Sequence, residues 1–313
     1  MVMRSVPRSD LHQHLWPDAL IRALAERVSA PRLRHGADGW ILELPGEPPC
    51  PVALADHDPV ARALEAERDG IDRIGIALSV PLGIELLPAA EAQPLLDAFH
   101  DGVAELGDPF RFWAATALTA PGAGALEIDA LLDRGAIGAT VPAGALASEV
   151  GLVRLSALLS RLEAREVPLF VHPGPAPSAH RGAPSWWPAM TAYVADMHAA
   201  WHAWAAWGRR SHPRLRVLFA MLAGGAPLHA ERLAVRGGPA GAVHDELTFF
   251  DVSSYGPRTV DAMLRVVGAD RLIHGSDRPV AEPPLLGALG PSVAHALAEA
   301  NPDRLLSPDP VTA

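Results

Sequence analysis

Val167-Pro168-Leu169-Phe170-Val171-His172 reads as a short strand, apolar on both faces, that ends on a histidine before Pro173-Gly174. The run is too short for an ordinary helix. Its lack of alternation suits a parallel sheet covered on both sides. Similar runs recur on either side of it. Ser9–Leu15, Arg73–Val80, Phe110–Thr116, Ile137–Val141, Arg216–Leu222, Leu247–Ser253 and Arg271–Gly275 join Pro168–His172 as strand candidates. Between them, Asp18–Val28, a stretch capped by Asp58 and running to Asp69, Glu91–Leu106, Leu126–Arg134, Leu152–Ala164, Pro227–Arg236 and Pro257–Val267 carry apolar residues at helical spacing. Eight strands, mostly each followed by a helix, in 313 residues predict an α/β fold, a distorted (β/α)8 TIM-type barrel. The open doubly wound sheet is the rival. One domain over 1–306 is expected, with 307–313 a frayed tail.

Two stretches break the repeat. Trp40–Leu44, between Gly39 and a proline-rich loop, reads as a small early hairpin. His180–Arg210, after the fifth strand, holds Trp186, Trp187, Trp201, Trp204 and Trp207 and reads as a helical insertion or lid. Aromatic residues are enriched at small-molecule sites and at subunit interfaces, so the segment suits an apolar ligand or a homodimer contact.

Composition narrows the chemistry. A 49 % hydrophobic chain has enough apolar surface for a core and is not disordered. A net charge of −10 without a basic block argues against nucleic acid as a partner. Cys50 is the one cysteine, which excludes an intrachain disulfide framework and a cysteine zinc cage. All 26 basic residues are arginine. Schiff-base, P-loop-lysine, Ser–Lys and carbamylated-lysine chemistry are therefore excluded, because arginine stays charged. The N-terminus lacks a signal-peptide pattern, and no run approaches the length of a membrane span, so a cytoplasmic protein is expected.

Among the 14 histidines, position singles out three. His12 and His14 lie two apart on the first strand, where alternate side chains share a face and two imidazoles can reach one ion. His172 ends the fifth strand, at the barrel end where such folds keep their chemistry. Asp277 follows the eighth strand in Ile273-His274-Gly275-Ser276-Asp277. Imidazoles plus one carboxylate suit one divalent ion, Zn²⁺ first and Mn²⁺ second, with a position left for water. Asp10 is expected to orient a ligand histidine. His198 and His202, four apart, read as part of an amphipathic packing face, and His274 as structural.

GADRLIHGSDRP at 268–279 is the most specific of several motifs, with DLHQHLWP at 10–17, VPLFVHPG at 167–174, GGAP at 224–227, FFDVSSYGP at 249–257 and NPDRLL at 301–306. Together they resemble the amidohydrolase superfamily, in its amidohydrolase 2 branch of aminocarboxymuconate-semialdehyde decarboxylase and related aromatic-acid decarboxylases. The resemblance covers nearly the whole chain. It implies a distorted (β/α)8 barrel, with His12, His14, His172 and Asp277 as ligands of a single metal ion. The absence of lysine agrees, since this branch does not need the carbamylated lysine of its binuclear relatives.

One departure stands out. The branch carries a histidine ending strand six, before a glycine-rich turn and a proline. Here residues 219–227 read FAMLAGGAP, and Met221 takes that place, or Leu222 at an offset of one. Neither can carry a proton. Asp277 is then the expected catalytic group, with His229 and His180 as candidate substitutes. Trp16, Met221, Tyr255 and Arg278 are the expected substrate contacts. The leading functional expectation is hydrolysis of a small ester, lactone or amide by a metal-activated water. The alternatives are non-oxidative decarboxylation of a small aromatic or unsaturated carboxylic acid, and a non-catalytic metal- or ligand-binding barrel.

Overall fold

The computed structural model describes residues 6–177, 182–239, 241–282 and 286–307. His180 and the tail beyond Ser307 lie outside the described residues. Among these residues eight parallel strands alternate with helices: β1 (Ser9–Gln13), β2 (Arg73–Ile76), β3 (Phe110–Phe112), β4 (Ala139–Pro142), β5 (Leu169–His172), β6 (Val217–Phe219), β7 (Thr248–Asp251) and β8 (Leu272–Ile273). β1, β2 and β3 form one continuous ladder and β4 to β8 another, each in sequence order. Two parallel bridges, Ala114 with Ala139 and Gln13 with Arg278, join the ladders at both seams and close the barrel. The Thr140 amide donates to Ala114 O at 2.8 Å across one seam, and the His14 amide to Arg278 O at 2.7 Å across the other.

Apolar strand residues fill the interior, among them Leu11, Ile76, Phe112, Phe170, Leu218 and Ile273, all buried. The ladders are shorter than the apolar runs suggest. After Ile76 the chain turns into two 3₁₀ turns, Val80–Leu82 and Ile84–Leu86, in which Val80, Leu82 and Ile84 are as buried as the strand while Leu86 is exposed. Periodicity cannot separate a buried mouth loop from a buried strand. The sixth strand likewise ends at Phe219, not Leu222. Met221, Leu222, Ala223, Gly224 and Gly225 then all have positive φ, from 43° to 81°, a left-handed turn. For the three residues with side chains this costs about 1–2 kcal/mol each.

The early insertion is a three-stranded antiparallel sheet, Arg32–Gly36, Gly39–Glu43 and Cys50–Pro51. Its first strand was hidden by charge: Arg32 and Arg34 both pair with Glu43 across the ladder. The later insertion contains helices Trp187–Met190 and Ala192–Ala203 and a π turn at Trp204–Gly208. Trp201 and Trp204 are core residues, whereas Trp186 and Trp187 are exposed. No helix of the described residues is long and apolar enough to cross a membrane.

Candidate metal centre

β1 carries His12 and the residue just past its end is His14, β5 ends on His172, and the turn after β8 carries Asp277. Gly275 lets that turn approach: a Cβ there would lie 2.8 Å from His12 Cβ and 3.1 Å from Asp251 Cγ. Asp277 has φ +61°, a conformation that Asp tolerates better than most residues, and its amide donates to His12 O at 2.8 Å.

The four side chains converge. His12 Nε2 is 3.3 Å from His14 Nε2 and 3.0 Å from His172 Nε2, and the last two are 3.2 Å apart. Asp277 Oδ1 lies 3.2 Å from His14 Nε2 and 3.4 Å from His12 Nε2. Tetrahedral bonds of ~2.05 Å put ligand atoms ~3.3 Å apart, close to these separations. The opposite ring nitrogens settle the tautomers. His14 Nδ1 donates to Ala77 O at 3.0 Å and His172 Nδ1 to Pro173 O at 2.8 Å, since carbonyls only accept. His12 Nδ1 donates to the Asp251 carboxylate at 2.7 Å. In the neutral rings three Nε2 lone pairs therefore face one another beside a carboxylate. That repulsive arrangement is relieved by one cation at its centre, and the donor set fits a single divalent metal ion.

Without a metal the electrostatics carry the same demand for positive charge. Burial pulls the His12 ring down, yet the fields of Asp251, Asp277 and Asp10 and the Asp251 hydrogen bond raise it to about 9. Burial, then the neighbouring His12 and His14, hold the His172 ring far below its ordinary value. Burial opposes the ionised form of Asp277, but the three imidazoles outweigh it and hold the carboxyl below the usual range.

The remaining candidates fall elsewhere. Asp10 touches no imidazole of the cluster. Its Oδ1 accepts from the His12 and Ser276 amides and its Oδ2 from Gln13 Nε2, so it stitches the β1–β8 seam. The ring-orienting carboxylate is Asp251, which also accepts from Ser253 and, at 3.0 Å, from the Met221 amide. Sequence reasoning missed it, although a lone acid ending the apolar run Leu247–Phe250 is the signal that singled out His172. Met221 is half-buried against the core, two hydrogen bonds removed from His12. His229 is corrected as a catalytic candidate: it is exposed and packs edge-on against His198, in a cleft with His202 that contains none of the four converging residues. The left-handed turn delivers it to the outer helix. His198 donates to Gly224 O, which agrees with a packing role. Arg278 is corrected as a substrate contact, because its guanidinium pairs with Asp69 at 2.8 Å on the helix Pro59–Asp69. Trp16 is buried, donates to Ser79 Oγ and stacks on His57 at 4.3 Å. Tyr255 is half-buried, its phenol pushed up by burial.

The chain matches no protein-family model and no curated protein. Solved structures match along its whole length. The chain is similar to IDCase from Metarhizium anisopliae, with 18 % identity over 97 % of both chains and a TM-score of 0.80. A putative amidohydrolase from Staphylococcus aureus shares 16 % identity over 96 % of this chain and 99 % of that one, at 0.74. A 5-carboxyvanillate decarboxylase from Novosphingobium aromaticivorans, complexed with manganese and 4-hydroxy-3-methoxy-5-nitrobenzoic acid, shares 15 % over 96 % of both chains, at 0.72. In fold, then, this is a (β/α)8 barrel similar to those structures, the fold that its motifs implied. Its site gathers three imidazoles and one carboxylate at the mouth.

Proposed function

We propose that the protein is a metal-dependent, non-oxidative decarboxylase of a small aromatic or unsaturated carboxylic acid. The sequence favoured hydrolysis; the order is reversed because the site lies in a barrel that resembles named decarboxylases over its whole length. The observation that carries the reading is the cluster itself, three Nε2 atoms and one carboxylate oxygen, in a chain without lysine and with no further ligand grouped with them among the described residues. His12, His14, His172 and Asp277 would hold the ion. Zn²⁺ suits the imidazole-rich set, and Mn²⁺ is the metal to test beside it.

When bound, the ion supplies a Lewis acid that anchors the substrate's carboxylate and a neighbouring oxygen. Asp251 keeps His12 in the tautomer that leaves Nε2 free. Loss of CO₂ breaks one carbon–carbon bond, and its electron pair must take up a proton at the same carbon. Asp277 rests ionised, so its Oδ2, which accepts from Ser254 Oγ at 3.2 Å, would first take a proton from solvent and then pass it to that carbon. Met221 adds no proton carrier at strand six, which leaves Asp277 to do both tasks.

The test is turnover of aromatic carboxylic acids by the metal-loaded protein in ¹⁸O-water. The expected result is CO₂ release that stops when metal is removed, with no solvent oxygen in the organic product. Solvent oxygen in that product would restore hydrolysis. Equal turnover after metal removal would end both readings.

A further inference from the structure

The two insertions that break the βα repeat meet over the barrel mouth. The helix Ala192–Ala203 lies on the loops that follow β4 and β6: a Cβ at Gly224 would meet Val194 O at 2.9 Å, and one at Gly144 would meet the Asp196 carboxylate at 3.5 Å. From the other side, the loop after Gly39–Glu43 sets Pro45 against Gly83, which also touches Pro175 beyond His172. The insertions are tied by one short bond, in which Tyr193 Oη donates to Glu47 Oε1 at 2.6 Å. Both residues are only partly buried, where the two insertions come together above the loops of the mouth.

A phenol has one proton and two lone pairs. Tyr193 gives its proton to Glu47, so toward the mouth it offers only an acceptor, next to a full negative charge. Burial, the Glu47 bond and then the charges of Glu47 and Asp277 hold the phenol above its ordinary value, which keeps that proton in place. The ion-binding end of the site needs an anionic group on the substrate. The roof repels a second one and rewards a hydrogen-bond donor.

We propose that Tyr193 and Glu47 are specificity-determining residues that select a monocarboxylic acid with a hydroxyl or N–H donor at the end away from its carboxylate, and reject dicarboxylic acids. This inference rests on the aromatic-acid reading above and names the substrate class within it.

The experiment is calorimetric titration of the manganese-loaded protein with 4-hydroxybenzoate, 4-methoxybenzoate and terephthalate. A hydrogen bond to the neutral phenol oxygen is worth about 2- to 10-fold in affinity. The expected result is that 4-hydroxybenzoate binds at least about threefold more tightly than 4-methoxybenzoate, and at least about tenfold more tightly than terephthalate, which also meets the Glu47 charge. Glu47→Gln keeps an acceptor for Tyr193 but removes the charge. It should tighten terephthalate about tenfold and leave 4-methoxybenzoate within about threefold, a split that a general structural lesion would not give. Tyr193→Phe should erase most of the hydroxyl preference. Terephthalate binding the wild type as well as 4-hydroxybenzoate, or a pattern unchanged in both variants, would overturn the assignment. If 4-methoxybenzoate binds without any preference among the three, the roof assignment alone fails. If none of them binds, the aromatic-acid reading fails and takes this one with it.

Discussion

Asp251→Asn changes one atom type in a fully buried side chain. The carboxylate accepts from His12 Nδ1 on one oxygen and from the Met221 amide, the Ser253 amide and Ser253 Oγ on the other. Asparagine has a single accepting oxygen, which the three donors on the second side hold in place. Its NH₂ group then faces His12 Nδ1–H, donor against donor. His12 either loses the bond or shifts its proton to Nε2, the nitrogen aimed at the ion. A charge-assisted bond of this kind contributes about 1.5–3 kcal/mol, roughly 10- to 150-fold in affinity. Zn²⁺ affinity should fall by about that factor in a chelator competition, with circular dichroism unchanged. The pH profile should shift too. In the wild type a proton on His12, with its pKa about 9, competes with the ion, so apparent affinity climbs with pH up to about 9. Without the Asp251 charge the climb should level off at lower pH. Zn²⁺ affinity within about threefold of wild type would refute the assignment of Asp251 as the group that sets His12.

Glu85 is fully buried with neither oxygen hydrogen-bonded, and burial raises its carboxyl to about 8. The folded state then binds a proton that the unfolded state has released between pH ~4.5 and ~8, so stability falls as pH rises through that window. Glu85→Gln should flatten the decline and raise the melting temperature at pH 8 but not at pH 4.5; equal melting shifts at both would show a partnered carboxylate. Gly275→Ala places a methyl 2.8 Å from His12 Cβ, between backbone-fixed atoms. A stability loss of about 1–3 kcal/mol by denaturant titration is expected, together with weaker metal binding; unchanged stability would mean that the seam yields. His229→Ala should leave metal affinity and turnover near wild type, and a tenfold loss of kcat would return that ring to the mouth.

The barrel was legible because strands such as β2, β5 and β7 are short, mostly apolar runs bounded by glycine, proline or a polar residue. His12 and His14 were legible by their spacing of two on one strand face, and His172 and Asp277 as polar groups at or just past the end of an apolar strand. Asp251 obeys that last rule and was overlooked because the strand was expected to run on to Ser253, which put Asp251 inside it, whereas the ladder ends at Asp251. Arg32–Gly36 was lost for the opposite reason, since a strand that pairs its arginines with Glu43 shows no apolar face. His229 and Arg278 looked close to the site in sequence. The left-handed turn at 221–225 and the Asp69 ion pair send them outward, and neither feature has a local signature.

The seam between the first and last strands also dictates when the site can exist. His12 and Asp277 lie near opposite ends of the chain, yet the Asp277 amide is bonded to His12 O. A ribosome delivers β1 long before β8, and N-terminal segments begin to organise first. The full donor set is therefore assembled only after nearly the whole polypeptide has emerged. Metal capture belongs to the end of biogenesis, and a prematurely terminated chain that lacks β8 would carry three imidazoles with neither the closing strand nor the carboxylate.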